Sequence, residues 1–401
     1  MPALSQLSGQ MPASPIRKLV PYANAAKKRG IKVYHLNIGQ PDIPTPQNVL
    51  EAIRRFDDPL IPYTMSQGTE SYREGLAAYY RKHNIDVTAD DIIVTTGGSE
   101  ALLFTVGSIA DPGDEIIIPE PYYANYNSFV TLFKVKPVPV QSKIENNFAL
   151  PPVREFEKLI TPRTKAILYS NPSNPTGYVY TEDEVRQLRD LALKHDIFII
   201  ADEVYREFIY GDTTHHSIMH QAGMENHAIL VDSVSKRYSM CGARIGAVVS
   251  KNKALMQSVL RFAQARLSPP TLGQYASEAA LQTPQSYFDR VIAEYKARRD
   301  LLIAGLENIP GVRIGYPKGA FYLMAELPVD DSENFARWML SEFNDQGETV
   351  MVAPAGGFYS DPELGRRQVR IAYVLNTTDL QRSVDILRKA LAAYRQAHGL
   401  D

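Results

Sequence analysis

Between residues 90 and 250, short apolar runs alternate with longer stretches of helical periodicity, and this alternation restricts the fold of the 401-residue chain more than any other feature. The runs are rich in isoleucine and valine and comprise Ile92–Thr95, Glu115–Ile118, Ala166–Tyr169, Ile197–Ile200 and Ile229–Val231. Near-continuous apolar strands separated by helices are typical of a mostly parallel sheet covered by helices on both faces. One helix has a clear start, because Thr181 and Glu184 form a capping box that opens the helix predicted over Glu182–Lys194. We therefore predict an α/β fold with a large sheet domain.

A second unit follows this sheet. The charged amphipathic stretch from Tyr287 to Leu306 predicts a long connecting helix. Beyond it, Phe321–Ala325 and Val369–Tyr373 are predicted strands, which with helices near 332–346 and 378–397 are typical of a smaller α+β domain. We expect three parts: an N-terminal segment, 1–44, that packs on the small domain or on a partner subunit; a large ligand-binding domain, 45–285; and a small domain, 286–401, joined through the helix at about 286–308.

The composition argues against several classes of protein. The chain has 43 lysine and arginine residues against 45 aspartate and glutamate residues, so it lacks the positive surface that nucleic-acid binding requires. No apolar stretch approaches the roughly eighteen residues that cross a bilayer, and the first residues lack a signal-peptide pattern. The only cysteine, Cys241, cannot form a disulfide within the chain, which fits a reducing compartment. We expect a cytoplasmic protein that binds neither nucleic acid nor membrane.

The segment from Ser233 to Gly246 places one lysine among small hydroxyl and guanidinium groups, directly after an apolar run. A lysine nucleophile must be uncharged for part of the time, and partial burial beside other cations such as Arg237 or Arg244 favours that state. Lys236 is therefore a candidate nucleophile. Ser233, Ser235 and Arg244 offer hydroxyl and guanidinium donors to a phosphate. A reactive amine beside a phosphate site predicts pyridoxal phosphate held as a Schiff base.

Further polar motifs follow predicted strands at the points where those strands end, which is where open α/β sheets bind ligands. Gly98, Ser99 and Glu100 open a helix, so their amides can meet a phosphate while the Glu100 carboxylate turns away. Asp202 ends a buried strand, where an unpaired carboxylate is costly. We expect Asp202 to meet a cation, such as the protonated ring nitrogen of the cofactor.

Two motifs offer contacts to the rest of a flat cofactor. Asn174, in a run with two Asn-Pro pairs, and Tyr205, three residues after Asp202, are candidate donors to the ring oxygen. One aromatic residue of Tyr122–Tyr126 could stack on the ring.

Two other kinds of site are disfavoured. His215, His216 and His220 lack the carboxylate or thiolate partners of a metal site, so we predict a solvated loop there and no bound metal. The run from Gly97 to Glu100 does not match the glycine pattern of a nicotinamide-binding fold.

Together these motifs resemble those of the class I/II aminotransferases of pyridoxal-phosphate fold type I, over essentially the whole chain, and look nearest to the bacterial aspartate aminotransferases. The resemblance rests on Asn174–Gly177, on Asp202 with Tyr205, and on Lys236 in a serine-rich run followed by Arg244. It implies that Lys236 is the Schiff-base lysine, that Asp202 pairs with the ring nitrogen, and that Asn174 and Tyr205 bond to the ring oxygen.

The resemblance also implies phosphate and substrate contacts. The implied phosphate ligands are Gly98, Ser99, Glu100, Ser233, Ser235 and Arg244. Tyr123 would stack on the ring, and the substrate would meet Gly39, Asn174 and Arg370, with Arg370 gripping its α-carboxylate through a bidentate fork. Tyr63 would reach the phosphate bound by the partner subunit, which implies a homodimer with shared active sites.

The implied activity is a ping-pong exchange of an amino group between an L-amino acid and a 2-oxo acid, with aspartate and 2-oxoglutarate as first choices. Aromatic-type and alanine-type aminotransferases stay open, because no spacing singles out a cation for a distal carboxylate. So does a lyase of the aminocyclopropane-carboxylate synthase type, which carries nearly the same lysine, aspartate and arginine.

Overall fold

The computed structural model describes residues 2–12 and 14–400. Within these residues the α-helices are α1 (Gln6–Gln10), α2 (Val20–Lys28), α3 (Gln47–Arg55), α4 (Glu70–Lys82), α5 (Gly97–Ile109), α6 (Asn125–Leu132), α7 (Val153–Glu157), α8 (Glu182–His195), α9 (Val234–Arg237), α10 (Lys253–Arg266), α11 (Thr271–Ala280), α12 (Gln285–Glu307), α13 (Ser332–Ser341) and α14 (Thr377–His398). The strands are β1 (Lys32–His35), β2 (Ile92–Thr95), β3 (Glu115–Glu120), β4 (Lys136–Gln141), β5 (Thr164–Ser170), β6 (Phe198–Asp202), β7 (Ala228–Ser233), β8 (Gly246–Val249), β9 (Arg313–Ile314), β10 (Tyr322–Glu326), β11 (Glu348–Met351), β12 (Ala353–Pro354) and β13 (Gln368–Ala372).

The large sheet has seven strands in the order β2-β8-β7-β6-β5-β3-β4. Strand β8 runs antiparallel to both neighbours, and every other pair is parallel. Successive side chains enter opposite cores: Ile116 and Ile118 pack with α5, α6 and α10, whereas Ile117 packs with α7 and α8. Burial on both faces explains why these strands are apolar without interruption. The mostly parallel mixed sheet, covered by helices, confirms the predicted fold class.

Three details differ from the prediction. Strand β4 contains Pro137 and Pro139 and was not expected, but it lies at the sheet edge, where a missing N–H leaves few hydrogen bonds unmade. Strand β8 is short and begins with glycine, so it has little apolar signal. Helix α13 ends at Ser341 rather than near 346, because Asn344 Oδ1 accepts a hydrogen bond from Gly347 N at 3.0 Å and forms a turn.

A second core is built around the small antiparallel sheet β12-β13-β10-β9. Helix α12 packs against α14, and α2 packs against α13. Strand β1 pairs in parallel with β11, so residues near both ends of the chain share one apolar cluster. The division of the chain after residues 44 and 285 stays a prediction. None of the described helices combines the length and apolarity needed to cross a bilayer.

The reversed strand β8 determines where the polar segments meet. Its first residue, Gly246, is paired with Thr95 at the end of β2 and with Ser233 at the end of β7. A Cβ at Gly246 would lie 2.5 Å from the carbonyl carbon of Gly97 and 2.7 Å from the carbonyl oxygen of Asp232, closer than packed atoms allow. Glycine therefore lets the start of β8 lie against the start of α5.

Replacing Gly246 by alanine should destabilise the protein, because the new methyl group would meet backbone atoms that cannot move independently. We expect the free energy of unfolding to fall by about 1–3 kcal/mol, as for other overpacked sites. Urea denaturation measures this change. Gly242→Ala is the control, since a Cβ at Gly242 would meet no atom within 4 Å. Equal unfolding midpoints for the two variants would contradict the packing argument.

Candidate active site

A cavity of about 650 Å³ lies where several strands of the large sheet end and where the small sheet faces it. It brings together residues that are as far apart in the sequence as Gly39 and Arg370. The predicted site residues in its wall are Gly39, Gly98, Ser99, Tyr123, Asn174, Asp202, Tyr205, Ser233, Ser235, Lys236, Arg244 and Arg370. Glu100 and Tyr63 are not part of this wall.

Asp202 ends β6 and presents a buried carboxylate to the cavity. Its Oδ2 accepts a hydrogen bond from the Tyr126 hydroxyl at 2.8 Å. Burial raises the pKa of Asp202 from 3.8 to about 6, against the opposing effect of the Tyr126 bond. No cationic side chain of the described residues forms an ion pair with Asp202. The carboxylate is therefore available to a cation on a bound ligand, and the predicted pairing with the cofactor's ring nitrogen stays a prediction.

Lys236 is half-buried at the end of the short helix α9. Its Nζ donates to the carbonyl oxygen of Gly39 at 2.8 Å and lies 3.7 Å from Cys241 Sγ. Gly39 has to be glycine here, since a Cβ would overlap the hydroxyl of Tyr322. The lysine amine is thus held inside the cavity.

Arg237 does not face Lys236 as the sequence suggested. Its Nη2 donates to Asp232 Oδ2 at 2.6 Å, and its guanidinium lies 4.2 Å from the ring centre of Tyr79. The reason is electrostatic, because Asp232 is fully buried and needs a cation. The neighbouring guanidinium that does line the cavity is that of Arg244.

The hydrogen-bond donors predicted to hold a phosphate lie along one part of the wall. Ser233 Oγ and Ser235 Oγ are 2.8 Å apart, and Arg244 packs so tightly against Gly97 that a Cβ there would overlap its guanidinium. Helix α5 starts beside them, so the first amides of a 13-residue helix point to the same region.

The carboxylate of Glu100 is turned out of this region. It accepts a hydrogen bond from Thr96 N at 2.7 Å and lies 3.3 Å from Arg266 Nη1. No carboxylate of this helix start therefore faces the phosphate donors, and the set fits a doubly charged anion.

Arg370 enters the cavity from β13, in the small sheet. Its Nη1 donates to Asn174 Oδ1 at 3.0 Å and its Nη2 to the carbonyl oxygen of Asn37 at 2.6 Å. The rings of Tyr322 and Phe358 lie 4.5 and 5.0 Å from the guanidinium carbon. Burial lowers the pKa of Arg370, no acidic side chain offsets that burial, and Nε has no hydrogen-bond partner among the described residues. A ligand carboxylate in the cavity would supply the missing negative charge.

Comparison with known proteins identifies the type of enzyme. Residues 31–387 match the family described as Aminotransferase class I and II. The chain belongs to this aminotransferase family. It is 32% identical to the aspartate aminotransferase of Pyrococcus horikoshii, over 90% of each chain, and 32% identical to aromatic-amino-acid aminotransferase 2 of Thermococcus litoralis, over 97% of this chain and 98% of that protein. The solved alanine aminotransferase of Pyrococcus furiosus superposes with a TM-score of 0.90 at 29% identity, over 98% of this chain and all of the other.

Membership confirms that the protein is a transaminase with the aspartate-aminotransferase-like fold expected from its motifs. Enzymes of this family use pyridoxal phosphate to exchange amino groups between amino acids and oxo acids. The relatives carry different substrate names at similar identity, so the family does not determine the amino donor of this aminotransferase.

Some residues of the candidate active site were not predicted from the sequence. The hydroxyl of Tyr322 lies 2.8 Å from that of Tyr205, Tyr126 holds Asp202, and Asn37 holds Arg370. Tyr126 belongs to the aromatic run that had been noted, and Asn37 lies two residues before Gly39, but nothing in either run indicates its partner. These contacts join elements that are distant in the sequence.

The histidine segment also differs from the prediction. His215 is not a solvated side chain: its Nε2 lies 3.2 Å from the carbonyl oxygen of Asn171, and burial lowers its pKa to about 4. Within the described ranges, no group of three or more histidine, cysteine, aspartate or glutamate side chains is arranged to bind a metal ion.

Replacing Asp202 by asparagine should change how the stability of the cofactor-free aminotransferase depends on pH. The folded state holds the Asp202 proton up to a pKa of about 6, whereas the unfolded state releases it near 3.8. As the pH rises between these values, the wild-type protein should lose up to about 3 kcal/mol of unfolding free energy relative to Asp202→Asn.

Urea denaturation at several pH values measures this difference. Asp212→Asn serves as the control, since Asp212 is an exposed acid and its removal should leave the pH dependence as in the wild type. Parallel stability curves for wild type and Asp202→Asn would show that Asp202 is not a destabilised buried carboxylate.

Proposed function

We propose that this aminotransferase binds pyridoxal phosphate in the cavity around Lys236 and moves an amino group between an L-amino acid and a 2-oxo acid, with aspartate and 2-oxoglutarate as first choices. The main support is that one cavity contains a lysine amine, a buried carboxylate without a cation and a buried guanidinium without an anion. Each of these three groups would bind one part of a complex of cofactor and amino acid.

The residues present fit the cofactor. Lys236 would hold it covalently, Asp202 would pair with the protonated ring nitrogen, and Tyr123 would stack on the ring. Asn174 would bond to the ring oxygen through Nδ2, since its Oδ1 already accepts from Arg370. Tyr205 would provide the second hydroxyl donor to that oxygen.

The phosphate would be held by charge-assisted and backbone hydrogen bonds. Its proposed ligands are the N-terminus of α5, at Gly98, Ser99 and Glu100, together with Ser233, Ser235 and Arg244. The Glu100 contribution is restricted to its amide, because its carboxylate pairs with Thr96 N and Arg266.

The protein groups would share the catalytic work as follows. Bound pyridoxal phosphate would supply the electron-withdrawing ring that stabilises negative charge at the substrate α-carbon. Arg370, held by Asn174 and Asn37, would fix the substrate α-carboxylate and so orient the α-hydrogen. Lys236 Nζ would take the proton from the substrate α-carbon and deliver it to carbon C4′ of the cofactor, acting as base and then acid. Asp202 would keep the ring nitrogen protonated.

A half-reaction tests this function. Excess L-aspartate added to the cofactor-loaded enzyme without any oxo acid should convert the near-visible absorbance of the bound aldehyde form into that of pyridoxamine phosphate, with one oxo acid formed per subunit. A lyase would instead turn over continuously without accumulating pyridoxamine phosphate. Absorbance and quantification of the oxo acid distinguish the two.

Lysine variants sharpen the same test. Lys236→Ala should lose the near-visible band and the adduct trapped by borohydride, because no other amine would form the imine. Lys251→Ala removes a lysine that pairs with the exposed Asp86 on the surface, so it should keep both. A yellow, active Lys236→Ala enzyme would exclude Lys236 as the cofactor-binding lysine.

The same proposal includes a homodimer in the cytoplasm. Tyr63 is 80% exposed, and the neighbouring Leu60, Ile61, Met65 and Leu267 are exposed apolar side chains. Their loops are held together, since Thr271 Oγ1 donates to Pro62 O at 2.8 Å and Ser66 Oγ to Leu267 O at 2.6 Å. Such a contiguous apolar surface is typical of an interface. In a second copy, Tyr63 would reach the neighbouring phosphate site. The cytoplasmic location rests on the single free thiol and stays a prediction.

Charges placed on this surface should separate the subunits. Leu60→Glu combined with Met65→Glu should convert a dimer to a monomer in sedimentation velocity, because two carboxylates would be buried on each side. Leu193→Glu places a charge on an exposed leucine of α8, outside this surface, and should leave the dimer intact. A monomeric wild-type protein would contradict the proposal.

Tyr63→Phe tests the shared site within the same prediction. This variant should sediment as a dimer and bind cofactor about tenfold more weakly, which is the loss expected for one hydrogen bond to a charged phosphate. Unchanged cofactor affinity would show that Tyr63 does not contact the phosphate.

A further inference from the structure

Four cationic side chains line the cavity, and the proposed function uses three of them. Lys236 would hold the cofactor, Arg244 its phosphate and Arg370 the substrate α-carboxylate. The fourth is Arg17, from the segment between α1 and α2. Asp202 is the only carboxylate among the described residues of the wall, and it would be matched by the ring nitrogen. Arg17 is therefore the one cationic side chain of the described wall to which the proposed function gives no partner.

Arg17 makes no side-chain hydrogen bond or ion pair with any other described residue, and its guanidinium is exposed to solvent. The adjacent Lys18 behaves differently, because it pairs with Glu333 at the start of α13. The two neighbouring cations therefore lie in different surroundings. Lys18 forms an ion pair with Glu333, whereas Arg17 lines the cavity without a partner among the described residues.

The segment that carries Arg17 is anchored on both sides. Pro15 packs so closely on Gly357 that a Cβ there would overlap it, and the carbonyl oxygen of Ile16 accepts a hydrogen bond from Asn37 Nδ2 at 3.4 Å. Two residues after Arg17, Leu19 is buried in the apolar core. The backbone at Arg17 is therefore positioned, although its side chain is not paired.

These anchors lie next to the residues that hold the α-carboxylate. Asn37, which bonds to Ile16, also accepts from Arg370 through its carbonyl oxygen, and Phe358, which follows Gly357, lies against the Arg370 guanidinium. Arg17 and Arg370 thus line the same cavity, and the residues that anchor them, Asn37 and the pair Gly357 and Phe358, are shared or adjacent. This arrangement suits a ligand with two carboxylates, because each guanidinium can bind one through a planar fork.

We propose that Arg17 binds the distal carboxylate of the substrate, so that dicarboxylic amino acids and oxo acids are the preferred substrates. This inference rests on the proposed function and adds the residue that recognises the substrate side chain. An apolar side chain would leave Arg17 in water at little cost, so Arg17 favours dicarboxylates without excluding alanine or aromatic donors.

Half-reactions of the cofactor-loaded enzyme test this assignment. In Arg17→Met, kcat/KM for L-aspartate and L-glutamate should fall about 10- to 100-fold, as expected for loss of a charge-assisted bidentate contact. The value for L-alanine, which has no distal carboxylate, should stay within about twofold. Arg17→Lys should keep part of the preference, because it keeps the charge without the fork.

Lys18→Met is the matched control, since it removes one positive charge from the same segment but outside the cavity. It should leave the ratio of aspartate to alanine unchanged. An aspartate rate that survives in Arg17→Met, or equal losses for aspartate and alanine, would overturn the assignment. Alanine turnover and the near-visible band report the proposed function separately: if both are missing in the wild type, the proposed function itself fails.

A binding measurement without turnover provides a second readout. Succinate has two carboxylates and no amino group, and butyrate has one carboxylate. Succinate should raise the melting temperature of the wild-type holoenzyme more than butyrate does at the same concentration. This difference should disappear in Arg17→Met and persist in Lys18→Met. An undiminished difference in Arg17→Met would overturn the proposal.

Discussion

The guanidinium of Arg370 has to be satisfied across the junction between the two sheets. It leaves β13 of the small sheet and donates to Asn174, beyond the end of β5 in the large sheet, and to the backbone of Asn37. A buried guanidinium is costly without such partners, so these hydrogen bonds hold three distant parts of the chain in one arrangement. The same bonds orient Asn174 and place Arg370 in the cavity wall. The position of Arg370 relative to the site residues of the large sheet depends on this junction.

Buried charged side chains near the cavity form ion pairs with each other, whereas two buried charged side chains in the cavity wall do not. Arg206 pairs with Glu203 at 2.8 Å, and Arg237 pairs with Asp232 at 2.6 Å, and none of the four residues is part of the cavity wall. Asp202 and Arg370, in contrast, face the cavity without a charged partner. A fold tolerates uncompensated buried charge mainly where a ligand completes it, which is why this contrast marks the site independently of any motif.

The proposed contact to the substrate side chain lies in a different part of the chain from the groups proposed to carry out the chemistry. The relatives are named for aspartate, aromatic amino acids and alanine at about the same identity, so the shared motifs describe the reaction rather than the donor. Arg17 lies outside those motifs, in a segment that reaches the cavity only because Pro15, Ile16 and Leu19 are docked on the small unit. A change at this segment could alter the donor without affecting the lysine or its supports.

The sequence by itself determined the features that depend on neighbouring residues. The apolar run Ile92–Thr95 predicted β2 with its observed bounds, and Thr181 with Glu184 predicted the start of α8, because burial on both faces and helix capping are local effects. The residues that follow the strands predicted many of the polar groups in the cavity wall, since parallel strands end at one edge of a sheet.

Only the tertiary structure decided which of these groups have a hydrogen-bond or ion-pair partner. The pairing of Tyr322 with Tyr205, the turn of Arg237 towards Asp232 and the arrival of Arg17 at the cavity depend on contacts between elements far apart in the chain. The prolines of β4 misled the prediction for the same reason, because only the strand order shows that it lies at an edge. The local sequence pattern determines whether a segment forms a helix or a strand, whereas the partners of its charged side chains depend on the elements that pack against it.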